Sequence, residues 1–404
     1  MSQKHVISPS VLTYLADAAV SYEQVQMVCG AGGVPLWLGR RDYALGWVAA
    51  GRGGDGPPSR DKARRRWQAA RPIVLPGMMH EQLAGRDADL AAAQRLMERV
   101  LDGEDVAALL EEVPYGLRLA EYFTLVTSSF DEGDDQEIET VEFAVERDGQ
   151  VIADNLWLKA SWLSFHDEDA SLRFRFSFGW VGQEDVAADF QRQRWAAALT
   201  EAVFPESGVI SANARLAEYL RQVLEVDAVA YVERIVYFNA PNGGAQFHHD
   251  VERGHLGVVY AQVRGRTVWL ALARADLVDE ILGFLARDDA CSYLLQAGVD
   301  GDQWQMFQAN GVSPEVIAGQ LDDPESEVLE ALINRVPAFA RQLIDNGHGW
   351  LLEPGDAILL PQQRVEHCAW HSVFCVDDEL GEGLSFAIRA QPAVGVDDAP
   401  SFNS

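Results

Sequence analysis

Positive charge is scarce in this sequence. Against 62 Asp and Glu stand only 32 Lys and Arg, a formal net charge of −30 over 404 residues. At long range such a chain repels phosphate backbones and anionic lipid, which argues against nucleic acid or a membrane as partner. Solubility alone accounts for the excess of acid. Cysteine is scarcer still. Cys29, Cys291, Cys368 and Cys375 are too few and too scattered for a disulfide framework, which points to a reducing compartment. The same dispersal argues against a thiolate-rich structural zinc site. No apolar run approaches the length that spans a bilayer, and Met1-Ser-Gln-Lys-His5 lacks the apolar core of a secretory leader. A cytoplasmic location is therefore expected.

What is present is ordinary globular material, 48% hydrophobic and 23% charged, and long enough for two domains. Residues 8–28 open with Ser-Pro-Ser and an apolar spacing that predicts a helix. A Gly/Pro loop at 51–58 precedes a basic helical run from Arg60 to Arg71. That run is expected to dock acidic groups of its own chain or of a partner, to grip an anion, or to pair with neighbouring acids in solvent. Helical spacing continues over 87–112. From 121 the period changes to two: Phe123-Leu125, Val141-Phe143-Val145 and Phe174-Phe176-Phe178 alternate with polar residues, as half-buried antiparallel strands do. Asp148-Gly149 is a hairpin turn. The acidic stretch 131–137 lacks the alternating ligand spacing of a calcium loop, and His166-Asp-Glu-Asp169 reads as a polar turn. Helices follow near 184–203 and 212–225.

From Asp227 strands resume. Tyr231–Phe238 is the first, and a turn at 240–244 leads to a strand carrying His248. Val258–Val263 and Thr267–Leu272 read as a hairpin about Arg264-Gly265. Residues 274–346 turn helical, with Ser313-Pro314 as a helix start and Pro337 splitting the last helix. Strands return at 350–352, 357–360, 370–376 and 384–389. The fold expected is α+β. A mixed helix and antiparallel-strand region (1–226) precedes one antiparallel barrel (227–392) with a helical insertion (274–346), and a loose tail (393–404) follows. Insertions of that length beside a site are commonly functional, so this one, with part of 1–226, is expected to cover the site.

The barrel carries the chemistry. In Gln246-Phe-His-His-Asp250, residues i and i+2 of an extended chain share a face, so His248 and Asp250 aim into one space and His249 turns away. One imidazole from His367 or His371 completes two histidines and a carboxylate on one face of a metal, leaving positions open for a co-substrate and O2. A lone His-x-Asp is a weak signal; its setting among strands, a Pro-Gly-Asp turn and a later histidine is what sharpens it.

That order resembles the JmjC-type branch of the cupin superfamily, the Fe(II)- and 2-oxoglutarate-dependent oxygenases. The resemblance rests on His248-His249-Asp250, Tyr260-Ala-Gln-Val-Arg-Gly-Arg-Thr-Val-Trp-Leu270, Glu353-Pro-Gly-Asp-Ala-Ile-Leu-Leu-Pro361 and Trp370-His371-Ser-Val373, and covers roughly 227–392. It implies a double-stranded β-helix, the jelly roll of cupins. His248, Asp250 and His371 are then the iron ligands, with His367 as the alternative distal ligand. His371 is preferred because Trp370-His371-Ser-Val has the family's aromatic-His-x-aliphatic form. The resemblance further implies 2-oxoglutarate and O2 as co-substrates and hydroxylation of an unactivated C–H bond. Where the family commonly places a lysine for the far carboxylate of 2-oxoglutarate, this sequence has Thr267. Arg389, on the strand face of Ser385 and Ala387, is the expected substitute, with Arg234 and Arg266 next; Tyr260 and Gln246 are candidate lining residues. An amino acid-like small molecule or a peptide is the expected substrate, and a homodimer is left open. The alternatives are a metal cupin that does not use 2-oxoglutarate, such as an isomerase or a thiol dioxygenase, and a binding protein whose function lies in 1–226.

Overall fold

The computed structural model describes residues 11–29, 34–40, 43–51, 56–163, 170–179, 189–252, 254–323, 326–376 and 380–391. The turn at His166–Asp169 and the tail at 393–404 lie outside these. Its strands are β1 (Leu12–Ala16), β2 (Pro35–Arg40), β3 (Tyr43–Ala50), β4 (Ile73–Leu75), β5 (Thr124–Ser129), β6 (Glu137–Arg147), β7 (Gln150–Trp162), β8 (Leu172–Phe178), β9 (Ala228–Asn239), β10 (Gly257–Arg264), β11 (Thr267–Ala273), β12 (Gly349–Leu352), β13 (Ala357–Arg364), β14 (His367–Cys375) and β15 (Gly381–Gln391). The fold is α+β. One small sheet runs β1-β3-β2, and a twelve-stranded sheet runs β12-β11-β14-β13-β10-β15-β9-β8-β7-β6-β5, with β4 on β13. Every pairing among the named strands is antiparallel.

The large sheet has two wings that face each other. Val258 and Tyr260 of β10 and Ile358 and Leu360 of β13 pack against Trp269 and Ala271 of β11 and Ala369 and Val373 of β14. The Tyr260 and Trp269 rings meet at 4.6 Å. This corrects the expected hairpin. β10 pairs with β13 and β15, whereas β11 pairs with β12 and β14. The turn at Gly265, at φ +63 with Leu380 carbonyl oxygen where a Cβ would stand, carries the chain from one wing to the other. Both strands are buried on both faces. Such strands read as continuous apolar runs, and a run of that kind does not say which neighbour it pairs with.

Each wing is covered on its outer face. Leu172, Phe174 and Phe176 of β8 and Val236 and Phe238 of β9 bury against helices at Asp87–Leu101, Phe190–Val203 and Ala214–Leu224. Val268, Leu270 and Leu272 of β11 and Trp370 and Phe374 of β14 bury against the helices of 274–345 and the small sheet. Residues 12–16, expected as helix, form β1: Leu12 and Tyr14 point into that core while Thr13 is exposed. The alternation there has period two, and of the helix expected over 8–28 only the later part forms, as Tyr22–Cys29. Pro337 does split the last insertion helix, taking the first position of a new one after an extended Val336. The basic run forms the helix Arg60–Gln68. Arg64 donates to the Gln222 carbonyl and meets Glu225 at 3.3 Å, and beyond the helix Arg71 holds Asp276 with two bonds of 2.8 and 2.9 Å. Those charges pair within the chain. Among the described residues, no helix is long and apolar enough to cross a membrane.

Candidate metal centre and cavity

His371 is placed by β14. On that strand Cys368, Trp370 and Phe374 face the outer core, so Ala369, His371 and Val373 face inward. His248 arrives by a loop: the described residues of 244–256 form no strand, and an isolated bridge between His248 and His371 ties the loop to β14. Two backbone bonds make that bridge, at 3.0 and 2.9 Å, and Val373 N donates to Ala245 O at 2.9 Å. Gly244 permits this approach. Its φ is +140°, and a Cβ there would stand 2.1 Å from the Val373 carbonyl oxygen. Gly244→Ala is therefore expected to cost about 2 kcal/mol or more. Urea unfolding of the metal-free protein measures this, and an unchanged midpoint would mean that the loop does not depend on that close approach.

The i, i+2 rule holds for this short extended stretch. His248 and Asp250 turn to the cavity, while the His249 ring goes the other way, to Trp370 at 5.3 Å. The ligand atoms of His248, Asp250 and His371 all lie within 4.8 Å of one another. Nε2 of His248 is 3.5 Å from one Asp250 oxygen and Nε2 of His371 is 3.5 Å from the other. Nδ1 of His248 donates to the Gln246 carbonyl at 2.7 Å. A carbonyl can only accept, so Nδ1 carries a proton, and the neutral form of the ring has its lone pair on Nε2. The His371 ring stacks on Trp269 at 5.4 Å, 17° from parallel.

Burial and then the neighbouring His248 push the His371 imidazole down to about 3. Burial works to raise the Asp250 carboxyl, but the facing histidines outweigh it and hold it well below the usual carboxylate range. Around neutral pH the set is a carboxylate beside a neutral His371, the state in which both bind a metal. Two imidazoles and one carboxylate on one wall, open on the cavity side, fit Fe(II). His367 starts β14 at the hairpin with β13, opposite Arg364, and is outside this cluster.

The cavity beneath holds about 520 Å3. Of the residues expected at the site, Gln246, Tyr260 and Ser385 line it together with the three ligands. Thr267 does not. Its hydroxyl donates to Gln262 Oε1 at 2.6 Å and accepts from the Trp269 indole at 3.0 Å, building the floor from behind. Arg389 is also outside the lining, with its guanidinium beside Gly254. Arg234 is buried under the Phe386 ring on the opposite face.

The expectation that the insertion covers the site is corrected. Among the described residues none of 274–346 lines the cavity, because those helices are committed to the outer face of the other wing. They touch the site from behind, where the Asn334 side chain accepts from Phe247 N at 2.9 Å. The expected contribution from 1–226 is present: Gln136, Leu163, Arg173 and Arg175 form one part of the cavity wall. β8 extends the wing beyond β9. Since its phenylalanines face the helices, the arginines of Leu-Arg-Phe-Arg-Phe face the cavity. The alternation was visible in sequence; that the polar face would meet a cavity was not. Arg173 donates to Ser161 at 2.9 Å and to Gln136 at 3.4 Å, and makes no ion pair among the described residues. Arg175 pairs with Glu233 at 2.9 Å and lies 4.0 Å from Glu252. Glu252 is pushed up to about 7, by burial and then by the facing Glu233.

No family model matches the chain, and no curated protein matches it. Solved structures similar to it carry oxygenase names. A 2OG-Fe(II) oxygenase family protein from Burkholderia pseudomallei is 9% identical, with 83% of this chain and 92% of that one covered and a TM-score of 0.28. The ribosomal oxygenase YcfD of Escherichia coli is 12% identical, with 64% of this chain and 41% of that one covered and a TM-score of 0.22. A structure of YcfD with cobalt and succinic acid gives 13%, 64%, 41% and 0.22. Identities and TM-scores this low assign no residue a role; these are oxygenases to which the chain bears a distant likeness.

Proposed function

We propose that the protein is an Fe(II)- and 2-oxoglutarate-dependent oxygenase that hydroxylates an unactivated C–H bond of an amino acid-like small molecule or a peptide. In this reading the facing wings are a double-stranded β-helix. The observation that carries the proposal is the convergence of His248, Asp250 and His371 on one wall of a cavity. Those three side chains would hold the iron. Bound there, iron couples the reduction of O2 to decarboxylation of 2-oxoglutarate and oxidation of the substrate, giving succinate, CO2 and the alcohol.

The remaining work falls to the chain. The Gln246 carbonyl fixes the His248 tautomer, and Trp269 fixes the plane of His371. Tyr260, Val258, Leu360 and Val373 give the cavity an apolar side that excludes water. A dicarboxylate in such a place needs a cation at its far end, because an unpaired buried carboxylate is costly. Arg173 lines the cavity, and Ser161 and Gln136 orient it without neutralising it. The proposal therefore gives Arg173 the anchoring role before Arg389. Ser385, which also lines the cavity, would be a neutral donor to the same ligand.

The test is succinate release from 2-oxoglutarate by the Fe(II) protein, screened against amino acids, peptides and small metabolites. Iron binding without any turnover of 2-oxoglutarate returns the reading to a metal cupin of another kind. A charge-assisted pair is worth about 1.5–3 kcal/mol, so Arg173→Ala is expected to weaken 2-oxoglutarate binding about ten- to hundredfold. Arg389→Ala is expected to leave it within about twofold. The opposite order of effects would move the anchor to Arg389.

A further inference from the structure

We propose that Glu233, Glu252 and His255 form a second site for a first-row divalent cation, in the same cavity but separate from His248, Asp250 and His371. One donor atom from each of the three lies within 4.8 Å of the others. All three residues line the cavity. An acidic pair alone would not make a site, since Arg175 already balances part of its charge. His255 is the second observation. It is 4% exposed, and neither ring nitrogen has a hydrogen-bond partner. A buried imidazole facing two carboxylates with both nitrogens unsatisfied is an arrangement that a bound cation completes.

The backbone assembles the cluster from two directions. His255 N donates to the Glu252 carbonyl at 3.1 Å, a tight turn that brings side chains three positions apart to one side. Glu233 comes from β9 where its register against β15 slips between Val232 and Arg234. It is the extra residue of that bulge, at φ +44, and the bulge turns its side chain to the cavity. Arg175 Nη2 holds Glu233 Oε1 at 2.9 Å and lies 4.0 Å from Glu252 Oε1. The guanidinium orients Glu233 through that bond, and a cation between the two facing carboxylates would relieve their mutual repulsion.

One imidazole and two carboxylates suit Mn(II), Fe(II), Co(II) or Zn(II). Calcium and magnesium prefer all-oxygen sites, and Cu(I) prefers sulfur. Three protein donors leave positions facing the cavity, where water or an anionic group of the substrate completes the shell. The inference does not depend on the oxygenase reading.

The test counts metal. Metal-free full-length protein is equilibrated with Co(II) over a large excess of Mg(II), which occupies the surface acids of this strongly acidic chain. Wild type is expected to bind two Co(II) per chain. The Glu252→Gln/His255→Ala variant is expected to bind one, as is His248→Ala/Asp250→Ala. The near-isosteric Glu233→Gln should weaken the second Co(II) at least tenfold and spare the first, and melting of each metal-free variant controls for folding. A single Co(II) in wild type that Glu252→Gln/His255→Ala still binds, or two Co(II) in that variant, overturns the proposal. Loss of the His248 site with retention of this one would sink the oxygenase reading alone, so the two failures are distinguishable.

Discussion

His248→Ala, Asp250→Ala and His371→Ala are each expected to abolish Fe(II)-dependent turnover. The three donors act as a unit on one ion, so removing any one leaves too few ligands to hold it against water. The stability cost differs among them. His248 and Asp250 stand on a loop at the cavity edge, partly exposed, and the melting temperature of those metal-free variants should barely move. His371 is 3% exposed and stacks on Trp269, so its alanine leaves a cavity and costs about 1–3 kcal/mol. His367→Ala, whose side chain lies outside the cluster, should keep full activity. Loss of activity in His367→Ala together with activity retained in His371→Ala would reassign the distal ligand. Succinate release and melting of the metal-free proteins measure both halves.

Glu206→Gln is expected to stabilise the protein at neutral pH. Glu206 and Glu382 are wholly buried. They interact directly: burial and then Asp89 push the Glu206 carboxyl from its ordinary 4.5 up to about 7, and burial and then Glu206 raise Glu382 well above the carboxylate range. A carboxyl raised in the folded state holds its proton there after the unfolded chain has released it. The folded state therefore binds more protons over the window from about 4.5 to 7, and stability falls as pH rises through it. The gap corresponds to a loss on the order of 3 kcal/mol from Glu206. The glutamine variant carries no charge at that position, so its melting temperature should fall less between pH 5 and 7.5 and exceed wild type at the upper end. A wild-type melting temperature that rises across this window, with the variant in parallel, would show that the pair is ionised at no cost. The site lies elsewhere, so turnover per folded molecule should be unaffected.

What the sequence disclosed follows from how local each signal is. Asp148-Gly149 adopts two positive φ angles, 53 and 74, as a tight hairpin between β6 and β7 requires. The Ser313 side chain caps the helix that begins at Pro314. The phenylalanines of β8 lie in the core in strict alternation. These are properties of a few adjacent residues. Pairing across the chain was not legible, since the apolar runs of β10 and β11 say that both faces are covered and nothing about which strand lies alongside. The site divides in the same way. His248 and Asp250 share a cavity by their spacing, whereas His367 and His371 share parity on β14 and are separated by depth along that strand, His367 standing at its start. Arg173, Arg175, Glu233 and His255 escaped notice because each looks like an ordinary polar residue of a strand or turn. The pairing of β8 with β9 and the return of the loop that carries His255 bring them to one cavity.

The central claim is that His248, Asp250 and His371 hold an iron that 2-oxoglutarate joins. The direct measurement is an anaerobic titration of 2-oxoglutarate into the Fe(II) protein, watched in the visible spectrum for the charge-transfer band of a 2-oxo acid chelated to iron. A saturable band is predicted in wild type, with His371→Ala giving none. Tight Fe(II) binding with no band at any 2-oxoglutarate concentration, or an undiminished band in His371→Ala, would contradict it.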